Sequence, residues 1–210
     1  MESVTASGSR TAPASTNGAG IPVENPATGE TLAHVPELAA AEVEALVASA
    51  REAQPAWEAA GFGERSRVLM AARGWLVANG GRVVETICAE TGRPADETQF
   101  AELGYGVSAL EFWAKRAPEY LADEEIESAS PFVRGGRRMK VRYAPVGVVG
   151  VIGPWNFPLN NSFGDCIPAL AAGNAVVLKP SEHTPLTSLR IAALWNEVGL
   201  PEGVFQVIPG

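Results

Sequence analysis

The sequence predicts an α/β chain in which an amino-terminal helical region leads into the first half of a doubly wound parallel sheet. Three observations carry this reading. Residues 146–152 and 175–178 are short, nearly all-apolar, β-branched runs, the pattern of strands covered on both faces. Each is followed by a stretch of helical periodicity, with Pro158 and Pro185 suited to first turns and Gly173, Gly199 and Pro201 to the ends. A third strand at 204–208 completes a β-α-β-α-β unit whose short connections force parallel pairing and right-handed crossovers.

Taken in order, residues 1–20 are rich in Ser, Thr, Ala and Gly and lack an apolar run, so they read as a disordered tail. A transit peptide is the alternative, weakened by a single Arg and by Glu2. Residues 21–36 read as two short strands around Asn25-Pro26 and Thr28-Gly29. Val43, Leu46, Val47, Ala50 and Ala53 then recur at helical spacing until Pro55 ends or kinks the helix. A second helix carries Val68, Leu69, Ala72, Leu76 and Val77. Gly80-Gly81 interrupts it, and a short continuation stops at Gly92 with Pro94 beyond. Phe100, Leu103, Val107, Leu110 and Trp113 mark a third helix, and such apolar stripes read as core.

Two extended runs around Gly135-Gly136 predict a β-hairpin in which Arg138, Lys140 and Arg142 share one strand face. In an acidic protein that face reads as solvated or intersubunit surface rather than an anion site. Leu159, Phe163, Ile167 and Leu170 form the inward face of the next helix. After the second strand of the sheet, Thr184 fits an N-cap, and Leu186, Leu189, Ala193 and Leu194 an inward face. The chain therefore divides into a tail (1–20), amino-terminal strands and helices (21–125), a hairpin (126–144) and an incomplete dinucleotide-binding half (145–210).

Composition narrows the function. A net charge of −8 opposes binding to nucleic acid or anionic membranes. No run approaches the length of a membrane-spanning helix. Cys88 and Cys166 are far apart with no neighbouring ligand residues, so neither a disulfide nor a metal site is expected, and a cytoplasmic setting fits. His34 and His183 read as surface residues.

Parallel sheets bind ligands outside the carboxyl ends of their strands, which places 152–158, 179–182 and 208–210 in one crevice. Asn156, between two prolines at a helix start, has two readings: a cap for backbone N–H groups, or an amide donor aimed at a developing oxyanion. Trp155 reads by default as packing, and Lys179 and Glu182 as a weak solvated pair.

The run APVGVVGVIGPWNFPLNNSFGDCIPALAAGNAVVLKPSEHTPLT is similar to the aldehyde dehydrogenase superfamily through P-W-N-F-P, P-A-L-A-A-G-N and V-L-K-P-S-E. A weaker match through N-P-A-T-G-E, the helix around Trp57, and Glu90-Thr91-Gly92-Arg93 extends the resemblance over residues 21–210. The resemblance implies a Rossmann-like sheet, an oligomerising hairpin, and oxidation of an aldehyde to a carboxylic acid with NAD, or alternatively NADP. It makes Asn156 the donor to the oxyanion formed when a cysteine thiolate attacks the aldehyde. It gives Lys179 and Glu182 the adenosine ribose hydroxyls, Ser181 the adenosine pocket, and Ile152, Pro154 and Trp155 the cofactor cleft. The nucleophilic Cys and the Glu base of that family fall beyond residue 210, and Gly210 resembles the first glycine of its glycine-rich turn. Cys166, between Phe163 and Leu170 on an apolar face, reads as inert. The expected partners are an aldehyde and further copies of the chain, with no nucleic acid and no membrane. The rival readings are a catalytically inert truncated subunit or an interaction module. A different Rossmann enzyme is disfavoured, since no G-x-G-x-x-G is present.

Overall fold

The computed structural model describes residues 20–127 and 138–210. Nearly all of the expected tail and the Gly135-Gly136 turn therefore lie outside the described residues. Strands β1 (Ile21–Glu24) and β2 (Thr31–Val35) pair antiparallel, as the sequence predicts. Their turn is built by Asn25, whose Oδ1 accepts the Ala27 N–H at 2.9 Å, and by Gly29 at φ 74°.

Helix α1 (Ala40–Ala59) continues through Pro55, where the sequence predicts an end or kink. The side chains on either side of Pro55 are anchored to the next layer. Gln54 Nε2 donates to the Gly173 carbonyl at 3.0 Å and Trp57 Nε1 to the Leu170 carbonyl at 3.0 Å. Tertiary hydrogen bonds thus offset the one that proline removes.

Helix α2 (Gly61–Thr91) runs straight through Gly80-Gly81, a second departure from expectation. Gly80 faces Leu103 so closely that a Cβ would lie 2.7 Å from Leu103 Cδ2, so this glycine permits close packing and breaks nothing. Val77 is 60% exposed and leaves the stripe, which continues instead through Val83, Val84 and Ile87. The helix does stop at Gly92, φ 70°, as predicted.

The third predicted helix is divided into α3 (Ala95–Thr98), a π-helical turn (Gln99–Leu103) and α4 (Gly104–Tyr120). The wider π turn rotates the inward face. Phe100 is consequently 86% exposed, and Thr98 and Glu102 are buried in its place. Helix α4 packs through Gly106, Ala109, Leu110, Ala114 and Ala117.

Strands β3 (Glu124–Ile126) and β4 (Met139–Val141) pair antiparallel at the base of the predicted hairpin. Its cations meet acids on or just before the neighbouring strand: Arg142 and Lys140 lie 3.3 and 3.8 Å from Asp123, and Arg138 3.7 Å from Glu125. These pairs neutralise the face on which an anion would have to bind.

The second half is a parallel sheet of β5 (Val148–Ile152), β6 (Ala175–Lys179) and β7 (Phe205–Val207) in the order β5-β6-β7. Side chains alternate across it. Ala175 and Val177 face Leu46 and Ala50 of α1. Val176 and Leu178 face the other way, into the core formed with α2, α4, α5 (Gly164–Ala171) and α6 (Pro185–Glu197). The expectation of burial on both faces holds for β6 and not for β5. Gly150 is exposed and Ile152 is 84% exposed, because α1 covers β6 and reaches β5 only at Val148.

Helix α5 is preceded by a π-helical turn (Pro158–Phe163) with Pro158 in its first turn, and Leu159, Phe163, Ile167 and Leu170 are buried as predicted. The predicted face of α6 needs correction. Thr187, Ser188, Ile191, Leu194 and Trp195 are buried, whereas Ala193 is exposed and Leu186 and Leu189 are half-buried. Thr184 holds the N-cap position but its hydroxyl makes no capping bond. The buried Glu90 caps this helix instead, accepting the N–H groups of Leu186 (2.5 Å) and Thr187 (2.9 Å) and the Thr187 hydroxyl (2.5 Å). Those bonds turn the first turn of α6 toward α2.

Candidate functional site

The sheet register places Ile152 beside Lys179, and Leu178 beside Val207, so the carboxyl ends of all three strands share one edge. The ladder extends one step past β5, where the Gly153 N–H donates to the Lys179 carbonyl at 2.9 Å. A Cβ on Gly153 would fall 1.8 Å from Ser162 Oγ, so only glycine lets the strand exit pass this close to the following helix. The segments 152–158 and 179–182 expected at one crevice are thus brought together. Gly210 lies beyond β7 against the amino-terminal strands, its carbonyl accepting the Leu38 N–H at 2.7 Å.

Pro154, Trp155 and Asn156 are exposed on the loop that follows. The first N–H groups of the next helix, those of Leu159 and Asn160, both donate to Glu102 Oε2 at 2.9 Å. Glu102 is fully buried, and burial raises its pKa against these two bonds and the nearby Arg93. The capping reading of Asn156 is thereby displaced: a carboxylate from the neighbouring layer already does that work. Among the described residues the Asn156 amide has no hydrogen-bond partner, and only its backbone carbonyl is held, by Arg93 Nη2 at 2.6 Å. The same guanidinium stacks 4.0 Å from the centre of the Phe157 ring.

At the end of β6, Lys179 Nζ lies 3.9 Å from Glu182 Oε2, with both side chains substantially exposed. Glu182 is held below the usual carboxylate range, first by its own backbone N–H and then by Lys179, so at neutral pH it is an acceptor. Ser181 is buried, and its Oγ accepts the His183 N–H at 3.2 Å, which shapes the turn. Because Ile152 and Lys179 are register partners, their side chains stand on the same face, the one α1 leaves open. An apolar shelf bordered by a cation and a carboxylate suits a flat ring carrying a hydroxylated sugar, whose diol can donate to Glu182 and accept from Lys179.

Cys166 is unsuited to act as a nucleophile. Cys166 is fully buried with its thiol donating to the Ser162 carbonyl at 3.1 Å, and burial pushes its pKa well above the usual thiol range. Cys88 is half-buried and lies beside Thr98 Oγ1 at 3.5 Å. Among the described residues no cluster of His, Cys, Asp or Glu could hold a metal ion, and no helix is long and apolar enough to cross a membrane.

Sequence reading missed Arg93, Glu102 and Glu90 as parts of this edge. The available signal was a carboxylate on an inward helical stripe: Glu90 follows Val83 and Ile87 along the buried face of α2.

Solved structures resemble this chain closely. A succinate-semialdehyde dehydrogenase from Burkholderia pseudomallei is 32% identical with a TM-score of 0.87, covering 94% of this chain and 40% of its own. An Escherichia coli NADP-dependent enzyme is 33% identical with a TM-score of 0.86, covering 93% and 40% respectively. A NAD-dependent benzaldehyde dehydrogenase from Corynebacterium glutamicum is 32% identical with a TM-score of 0.82, covering 89% and 40%. The chain thus spans about two fifths of the length of these relatives. The family model described as the aldehyde dehydrogenase family matches residues 13–210, beginning inside the segment expected to be tail. With its helical layer, parallel sheet and P-W-N-F-P turn all matched over that span, the chain belongs to the aldehyde dehydrogenase family.

Proposed function

We propose that the protein carrying this chain oxidises an aldehyde to a carboxylic acid with NAD, NADP being the alternative, and that residues 145–210 supply the first half of the cofactor domain. The observation that carries this reading is the Asn156 amide, exposed beside a helix start whose N–H groups Glu102 already occupies. A cysteine thiolate beyond residue 210 would attack the carbonyl carbon, forming a C–S bond and an oxyanion, a thiohemiacetal. Asn156 donates a hydrogen bond to that oxyanion, stabilising charge that develops only in the transition state. A nicotinamide cofactor held at this edge by Lys179 and Glu182 would supply the hydride acceptor through which the thiohemiacetal could become a thioester. Water then hydrolyses the resulting thioester, releasing the carboxylic acid and restoring the thiol.

Lys179 and Glu182 would hold the ribose hydroxyls, with Ser181 shaping the turn between them, while Ile152, Pro154 and Trp155 line the path of the cofactor. Two relatives named for succinate semialdehyde and benzaldehyde support an aldehyde substrate. The hairpin, with Arg138, Lys140 and Arg142 already neutralised by Asp123 and Glu125, is suited to pairing with a second copy. The acidic composition supports a partner set without nucleic acid.

The inert-subunit or interaction-module reading draws on the burial of Cys166. Two assays separate the readings. NAD(P)H formation from several aldehydes is expected from the complete protein and absent from residues 1–210 alone. Turnover by the short chain that Cys166→Ala abolishes would overturn the assignment of that thiol. An inert complete protein, folded and able to bind NAD, would favour the non-catalytic alternative.

A further inference from the structure

Arg93 reaches three parts of the strand-to-helix loop from outside it. Its Nη2 donates to the Asn156 carbonyl at 2.6 Å, its Cζ lies 4.0 Å from the centre of the Phe157 ring, and its Nη1 lies 3.5 Å from Glu102 Oε1. The other oxygen of Glu102 accepts the Leu159 and Asn160 N–H groups. One guanidinium therefore ties the residue before the helix to the carboxylate that caps it. Arg93 is itself fixed. It follows Gly92 in the left-handed conformation, its N–H donates to Thr91 Oγ1 at 3.3 Å, its Nε lies 3.7 Å from Glu97, and its side chain is 14% exposed.

We propose that Arg93 is a positioning residue that fixes the direction of the Asn156 amide by clamping the peptide on its carboxyl side. The proposal rests on the reading of Asn156 as the oxyanion donor. An exposed loop side chain loses donor strength when its backbone can rotate, and displacement by about 1 Å can cost on the order of a hundredfold in rate. The loop is tied at its two ends by the Gly153 N–H to the Lys179 carbonyl and by Glu102 beyond Phe157, so without Arg93 it keeps both end anchors and loses the one at the Asn156 carbonyl. The side chain touches no reacting atom. Its planar fork serves the carbonyl and the carboxylate together, a geometry that a lysine ammonium cannot reproduce.

The test is a double-mutant cycle in the complete protein with Arg93→Gln, Asn156→Ala and both together. Arg93→Gln is expected to lower kcat roughly tenfold or more with KM for the aldehyde and affinity for NAD within about twofold of the parent. Adding it to Asn156→Ala is expected to cost almost nothing further, since the amide it aims is gone. Hydrogen exchange at the Leu159 and Asn160 N–H groups should stay slow, showing the Glu102 cap intact. Loss of kcat in Asn156→Ala with parental turnover in Arg93→Gln would overturn the proposal alone, as would fully multiplicative losses in the double variant. Parental turnover in Asn156→Ala would remove the oxyanion reading and this proposal with it. Should Arg93→Gln fail to fold, Arg93→Lys, which keeps the charge beside Glu102 but not the fork, carries the same cycle with the same outcomes.

Discussion

Glu102 Oε2 accepts the Leu159 N–H at 2.9 Å, so the helix that begins at the P-W-N-F-P turn is capped from a different layer of the molecule. Glu102 lies in the π turn between α3 and α4, buried on the inward face that the turn rotates away from Phe100. A helix start satisfied in this way leaves the side-chain amide of Asn156, just before it in the chain, unused as a cap.

For that reason Asn156→Ala in the complete protein is expected to lower kcat by roughly a hundredfold or more, the usual loss on removing an oxyanion donor. Cofactor affinity should hardly change, and thermal stability should stay close to that of the parent, since no cap is lost. Steady-state kinetics beside a melting curve checks both. Equal turnover in two well-folded proteins would return Asn156 to the role of a loop residue.

Glu182 stands exposed beside Lys179, with its pKa held down, so it carries a negative charge at neutral pH. A carboxylate that receives ribose hydroxyls repels a 2′-phosphate, and the protein is expected to bind NAD more tightly than NADP. Titration calorimetry with the two cofactors is the measurement, and Glu182→Gln should narrow the difference. Tighter binding of NADP to the parent would refute this assignment.

Glu90 makes stability depend on pH. Burial pushes its pKa up to about 7, against the pull of the Thr187 hydroxyl, the Leu186 and Thr187 N–H groups and Arg190. With the folded value above the unfolded one near 4.5, the folded state holds the proton more tightly. Its contribution is complete below the unfolded pKa and is lost as pH rises to about 7. Melting temperatures at several pH values between these limits should therefore fall for the parent by a few degrees more than for Glu90→Gln, which cannot titrate. Parallel curves for the two proteins would show that Glu90 does not titrate in this window.

Gly153→Ala tests the packing of the strand exit. The added methyl would meet Ser162 at Oγ (1.8 Å), Cβ (2.5 Å) and Cα (3.1 Å), and rotating the hydroxyl relieves only the first. We expect destabilisation by about 1–3 kcal/mol, with accompanying loss of activity as β5 and the π turn move apart. Denaturant titration reads the first effect. An alanine variant as stable as the parent would show that Ser162 can retreat at little cost.

The order and type of the main elements are legible in the amino-acid pattern, because each rests on a local cause. Apolar β-branched runs gave β5 and β6, while Pro158, Pro185, Gly92 and Gly173 marked helix starts and stops through their own backbone preferences. Parallel strand topology alone implies that Asn156, Lys179 and Glu182 share one sheet edge, and the register of Ile152 with Lys179 agrees. The rest depends on how the layers pack. Whether Pro55 and Gly80 break their helices depends on what lies opposite them, here the Leu170 and Gly173 carbonyls and the Leu103 side chain. Which residue caps a helix start, and so whether Asn156 is free, depends on Glu102, distant in sequence and adjacent in space. Periodicity reports one helix's own geometry, whereas a buried carboxylate is placed by the N–H groups of another element that must be satisfied, and that pairing exists only once the layers have packed.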